Sequence, residues 1–252
     1  MTNTIAFRSL IEGIRKGEMR VLAKAISILE DNSPLKAKLL TKLRAGRCRA
    51  IRGFSIGVTG SAGSGKSTLI AALARAMRRD KKKVAIVAVD PTSPKTGGAF
   101  LGDRVRMQEL AEDPGVFIRS MASRGAQGGV ASATKDAAFL FLKAGYDFVL
   151  IETVGAGQLD YGVTKIVDLT LLVLTPEAGD EMQFMKGGLR ELADVFVVNK
   201  ADRPGAQILE DSLKRAYDNQ KSQTPIFKTV AEQKKGIEPL YQLITRCSRG
   251  KK

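Results

Sequence analysis

The sequence predicts an α/β fold: a mostly parallel β-sheet with helices on both faces, preceded by an N-terminal helical extension. Three observations carry that expectation. Short runs rich in Val and Ile alternate with stretches of helical periodicity, the pattern of strands buried on both faces. A glycine-rich turn lies between the first such strand and the helix after it. Acidic residues stand at the ends of later strands, where the ligands of such sheets bind.

The elements follow in chain order. From Ile5 to Glu30, Leu10, Ile11, Ile14, Leu22, Ala25, Ile26 and Leu29 recur at three-to-four spacing, which predicts one helical stretch with a buried face. Asn32-Ser33-Pro34 punctuates it, and a shorter amphipathic helix is expected over Leu35–Leu43. The arginine-rich segment Arg44 to Arg52 leads into the main domain, so the predicted division is 1–52 for the extension and 53–252 for the rest. Strands are expected at Phe54–Val58, Lys83–Val89, Val116–Ile118, Tyr146–Ile151, Asp168–Leu174, Asp194–Val198 and Ile226–Lys228. Helices are expected near Lys66–Arg78, Asp103–Ala111, Gly129–Ala144, Glu181–Leu192, Ala206–Asn219 and Ile237–Arg246.

Composition narrows the chemistry. A chain of 252 residues, 44% apolar and 27% charged, suits one large domain with an appendage. No apolar run approaches the roughly 18 residues of a membrane span, and the N-terminus lacks a secretory pattern, so a cytoplasmic protein is expected. Histidine is absent, which excludes Ser-His-Asp, Cys-His and His-metal mechanisms. Cys48 and Cys247 are the two cysteines, and a reduced chain without structural zinc is expected. Carboxylates, lysines, hydroxyls, backbone amides and a borrowed metal ion remain. The net charge of +15 is densest in Lys36 to Arg52, Arg75 to Lys83 and Arg246 to Lys252. No aromatic residues interleave those charges as single-strand binders need, so solvated helix faces are favoured over a nucleic-acid footprint.

Gly60-Ser61-Ala62-Gly63-Ser64-Gly65-Lys66-Ser67, followed by Thr68, matches the P-loop at every required position. Its glycines let backbone N–H groups point at phosphate oxygens. Lys66 is placed to reach the β- and γ-phosphates, and the Ser67 hydroxyl to bind Mg²⁺. The helix opening at Lys66 adds its positive end. The fold expectation thereby sharpens to a P-loop NTPase.

Asn199-Lys200-Ala201-Asp202 follows a predicted strand. The Asp202 carboxylate can accept both the N1 proton and the 2-amino group of guanine. Adenine offers no such donor pair, and a buried Asp202 left unpaired would reject ATP. Asn199 is expected to tie loops together, with the Lys200 stem over the base. Asp90 and Glu152 end strands, where carboxylates can hold Mg²⁺ directly or through its waters. Asp103 is read either as a metal ligand or as the N-cap of the next helix. Gly155 can donate its N–H to a γ-phosphate and release it after hydrolysis. Lys66 and Glu152 are the expected catalytic residues, in a GTPase that uses Mg²⁺ and binds GTP and GDP.

GVTGSAGSGKSTLI, AVDPTSPKTGGAFLGDRVRM, FIRSMASRGAQGGVA, DFVLIETVGAGQ, EAGDEMQFMKGG and ADVFVVNKAD together resemble the MeaB/ArgK family, the methylmalonyl-CoA mutase-associated GTPases, called MMAA in animals. The resemblance runs in family order along nearly the whole chain, and SLIEGIRKGEMRVLAKAISILE resembles the family's leading helices. It implies a G-protein chaperone that docks on an adenosylcobalamin-dependent acyl-CoA mutase, gates cofactor loading and protects the mutase from inactivation. By that match Lys66, Ser67 and Thr68 bind phosphates and Mg²⁺, and Asp90, Asp103 and Glu152 fall on the metal and switch carboxylates. Gln158 falls in the second switch, and Asp180, Glu181, Gln183 and Lys186 in the third. Asn199, Lys200 and Asp202 read guanine.

Three departures accompany the match. Val230-Ala231 replaces the usual Ser-Ala, leaving the Ala231 N–H for the base, and Asp160 replaces a usual glutamate. The chain stops soon after Ile237-Glu238-Pro239-Leu240, whereas relatives continue into a helical dimerisation arm. A homodimer of the family type therefore stays an open expectation. The alternatives are a P-loop kinase, of the type once labelled an arginine/ornithine transport kinase, and a nickel metallochaperone GTPase. The first lacks an arginine-rich lid here, and the second lacks clustered His and Cys.

Overall fold

The structure, a computed structural model, describes residues 2–31, 34–45, 53–90, 107–122, 132–154, 161–177, 193–217 and 224–250. Seven strands form one sheet: β1 (Phe54–Thr59), β2 (Val84–Asp90), β3 (Val116–Ala122), β4 (Phe148–Glu152), β5 (Leu169–Leu174), β6 (Val195–Asn199) and β7 (Ile226–Thr229). Their order is β3-β2-β4-β1-β5-β6-β7, and every neighbouring pair is parallel. Register sets Val58 of β1 opposite Glu152 of β4 and Leu171 of β5. The ends of these three strands therefore open on one edge.

Both faces of the sheet are covered, which is why its central strands are apolar at successive positions. On one face Ile56, Val58, Ile86 and Leu150 pack against α4 (Lys66–Arg79) and the last helix, whose residues Leu240, Tyr241 and Ile244 are buried. On the other, Val87, Val149 and Ile151 pack against α1 (Thr2–Lys16), α2 (Met19–Glu30), α3 (Pro34–Ala45) and α6 (Ser132–Lys143). The N-terminal helices thus share a core with the sheet. Among the described residues between α4 and α6 lies the short helix α5 (Gln108–Ala111). A further turn of helix, α7 (Tyr161–Thr164), precedes β5, α8 (Ala206–Tyr217) covers β6, and α9 (Ile237–Gly250) is the last helix. Among the described residues no helix is long and apolar enough to cross a membrane.

Two differences from the sequence expectation bear on the architecture. The stretch Ile5–Glu30 is two helices, because Gly17 adopts a left-handed φ of 72°. Gly17 N–H donates to Ile14 O and Glu18 N–H to Gly13 O, both at 3.0 Å, the paired bonds that close a helix on a glycine. Strand β3 runs beyond Ile118 to Ala122. Its polar Arg119 and Ser120 hide it from an apolar search, and Arg119 Nη2 donates to Glu30 and to Ser27 Oγ on α2. Helix α6 is described from Ser132, and residues 129–131 of the expected helix over Gly129–Ala144 lie outside the described residues. The expected helix over Glu181–Leu192 and the start of that over Asp103–Ala111 lie outside the described residues.

Candidate nucleotide site

Strand β1 delivers the glycine-rich turn directly to α4, and two glycines there are required by contact. Gly60 has φ 146°, and a Cβ on it would lie 2.2 Å from the Val173 carbonyl oxygen of β5. Gly65 has φ 90°, and its Cβ would lie 2.4 Å from Asn199 Nδ2. Between them Ala62 and Gly63 are exposed and Ser64 is buried. Lys66 folds back over the turn, donating from Nζ to Gly60 O at 3.0 Å and Ser61 O at 2.9 Å. A buried ammonium and the first N–H groups of a 14-residue helix thus converge on one turn, an anion-binding arrangement.

Ser67 and Thr68 continue α4 from that turn, Ser67 buried and Thr68 half-buried. The Ser67 hydroxyl donates to Glu152 Oε1 at 2.6 Å, short enough for a charge-assisted bond. Glu152 is 4% exposed at the end of β4. A hydroxyl and a carboxylate at this spacing form a hard-oxygen donor set, the chemistry Mg²⁺ takes alongside phosphate and water. The residues present fit that ion. Asp90 ends β2 on the same edge, but its side chain lies outside the described atoms. Asp103, Gln158, Asp160, Asp180, Glu181, Gln183 and Lys186 lie outside the described residues.

Asn199, at the end of β6, connects this cradle to the second motif. Its Nδ2 donates to Ser64 O at 2.8 Å. Its Oδ1 accepts from Thr229 Oγ1 at 2.9 Å and from Ala231 N–H at 3.2 Å. With Asn199, Thr229 and Ala231 all buried, these bonds form away from competing water. The Ala231 amide expected against the base is here directed at Asn199. Thr229 carries no sequence signal that would have singled it out.

The turn after Asn199 is held by Ala201 N–H to Thr229 O and Arg203 N–H to Lys200 O, both at 3.0 Å. Lys200 has φ 55°, a conformation a side-chain-bearing residue rarely adopts. Its Nζ lies 3.7 Å from Glu177 Oε2, and Arg203 also pairs with Glu177. Hydrogen bonding to Arg203 holds the Glu177 carboxyl below its ordinary range. Asp202 is exposed on this turn. The rejection of ATP argued from a buried carboxylate therefore requires the base itself to cover Asp202.

Among the described residues, Asn199 ties the glycine-rich turn after β1 to Thr229 and Ala231 beside the turn after β6, which holds the two sequence motifs at a set spacing; the fold and these motifs are those of a P-loop GTPase. Residues 22–250 match the family described as methylmalonyl Co-A mutase-associated GTPase MeaB, and the chain belongs to that family. It is 45% identical over 244 residues to a candidate GTPase of Pyrococcus horikoshii, covering 93% of this chain and 75% of that one. To GTPase ArgK of Escherichia coli it is 36% identical over 259 residues, covering 97% and 76%. Among solved structures it resembles that of a LAO/AO transport system kinase, with TM-score 0.74 at 28% identity over 96% of this chain and 74% of that one.

Proposed function

We propose that this GTPase is a nucleotide-controlled chaperone of an adenosylcobalamin-dependent acyl-CoA mutase, binding GTP with Mg²⁺ and hydrolysing it slowly when alone. The family match supports the partner class. The Asn199 bridge carries the site reading, since it sets guanine recognition by Asp202 at a fixed distance from the phosphates. In this reading Gly60 to Thr68 grip the phosphates, with Lys66 on the β- and γ-oxygens. Ser67 and Glu152 hold Mg²⁺, with Asp90 and Asp103 added by resemblance to the family. The ion neutralises phosphate charge, and the chain's own residues orient the triphosphate. Phosphoryl transfer is mainly a matter of positioning and electrostatics, often completed by a partner, which accounts for slow hydrolysis alone.

The test is co-purification with methylmalonyl-CoA mutase in the GTP, GDP and nucleotide-free states, alongside the rate of mutase inactivation during turnover. Nucleotide-dependent association and slower inactivation are expected. Absence of both in every state would remove the chaperone role while leaving the GTPase intact.

A second reading, small-molecule kinase, draws on the resemblance to a transport system kinase. Labelled γ-phosphate appearing on arginine, ornithine or a protein, in preference to water, would establish it.

A further inference from the structure

Two threonines flank the candidate machinery without belonging to it. Thr59 ends β1 immediately before Gly60, and Thr153 follows Glu152 at the end of β4. Each is 2% exposed. Thr153 Oγ1 donates to Thr59 Oγ1 at 3.2 Å, and Thr153 N–H donates to Val58 O at 3.1 Å. The β1–β4 register ends at Val58 opposite Glu152. These two bonds carry the attachment one residue further, to where β4 leaves the sheet.

The consequence falls on Glu152. Its carboxylate meets Ser67 on α4 at 2.6 Å, a contact that tolerates little displacement of the peptide carrying it. Thr59 is joined by one peptide to the turn that leads into α4. Fixing Thr153 to Thr59 therefore fixes the two ends of the Glu152–Ser67 contact relative to each other. Loss of a buried hydroxyl bond would leave the fold standing but let this separation drift, and small misplacements are costly in a positioning reaction.

We infer that Thr153, clamped to Thr59, is a positioning residue that holds the Glu152 carboxylate against Ser67 and so sets the hydrolysis rate while leaving nucleotide affinity unchanged. This rests on the proposed placement of Glu152 and Ser67 at the metal–phosphate end of the site.

The experiment compares Thr153→Val, Thr59→Val, the double variant, Thr153→Ser and Glu152→Gln. Readouts are single-turnover GTP hydrolysis with Mg²⁺, melting temperature, and affinity for a fluorescent GDP analogue. Thr153→Val strands a buried hydroxyl, and should lower the melting temperature and slow hydrolysis about fivefold to tenfold, the reach of one hydrogen bond. GDP affinity should stay within about twofold, and Thr153→Ser, which keeps the hydroxyl, should hydrolyse within about twofold of the parent. The double variant strands nothing and should recover the melting temperature; its hydrolysis should stay slow. Recovery of rate along with stability would reduce the pair to packing and overturn the inference, as would Thr153→Ser as slow as Thr153→Val. Hydrolysis unchanged in Glu152→Gln would instead remove the placement of Glu152 on which the clamp depends.

Discussion

Asn199 makes three hydrogen bonds from one amide, and the room for it exists because residue 65 has no side chain. A Cβ at Gly65 would lie 2.4 Å from Asn199 Nδ2, on a backbone already at φ 90°. Gly65→Ala is therefore expected to cost about 1 to 3 kcal/mol from the backbone conformation alone, and to weaken GTP and GDP binding together by displacing Asn199. Isothermal titration with both nucleotides checks this, and an effect confined to one of them would contradict it. Asp202→Asn should exchange preference from guanine toward xanthine nucleotides, since an amide reverses one donor–acceptor contact; competition between GDP and XDP reads it. Lys66, Ser67, Asn199 and Asp202 can be picked out of the sequence as candidates because they fall in short motifs of fixed spacing next to strand ends. Thr153, Thr229 and Glu177 cannot, because a threonine or glutamate beside a strand end looks the same whether or not it has a distant partner. The sequence argument for rejecting ATP holds for a buried Asp202, but exposure depends on what covers a turn, and that covering is not local in sequence.

At the scale of elements, the β1, β2, β4, β5 and β6 strands announced themselves through apolar residues on both faces. Strand β3 runs past the apolar stretch Val116–Ile118 because its edge position admits Arg119. That arginine pairs with Glu30 of α2, their side chains 27% and 15% exposed, so the N-terminal helices are fastened to the sheet edge by a partly shielded charge pair. Glu30→Ala should destabilise the molecule by about 1.5 to 3 kcal/mol, the range for hydrogen bonds to charged groups, measured as a lower urea midpoint. A midpoint unchanged by the substitution would mean that apolar packing alone seats the extension. Helix α9 is fastened to α4 differently. Tyr241 donates to Asp80 Oδ2 at 2.8 Å, and burial, reinforced by the Asp80 carboxylate, pushes the phenol up to about 12. A phenol raised from its ordinary value near 10 favours the folded state fully below pH 10, and that contribution is lost as pH rises toward 12. Tyr241→Phe should cost about 1 kcal/mol at neutral pH and lose stability less steeply across that alkaline window. Chemical denaturation repeated between pH 8 and pH 11, parent against variant, compares the two slopes.

For the whole molecule, the order of strands was not legible, since parallel strands can be arranged in many ways that bury the same residues. Net charge was legible. Its thermodynamic consequence depends on which charges are paired. Asp113 sits against Arg78, and hydrogen bonding to that guanidinium holds its carboxyl below the ordinary range. Glu210 is likewise depressed, by Lys214 first and then Lys228. Each contributes stability that is present above the unfolded carboxylate pKa, near 4, and is lost as pH falls through the lower folded value. Acid thus removes attractive pairs while it removes the 26 negative charges that offset 41 positive ones at pH 7. Below pH 4 the chain approaches its full complement of Lys and Arg charges, and self-repulsion favours expansion. Salt acts on both effects in opposite directions, weakening the pairs and screening the repulsion. The pairs are few and short-range, whereas the repulsion acts among all the basic residues over distances that a Debye length of about 3 Å at 1 M cuts off. Screening of repulsion should win. The acid unfolding midpoint is expected to move to lower pH when KCl rises from about 0.05 M to about 0.5 M, with Asp113→Asn flattening the limb below pH 4 at either salt. Circular dichroism across pH 2 to 6 at the two concentrations decides it; a midpoint that rises with salt would mean the ion pairs, and not the net charge, govern acid stability.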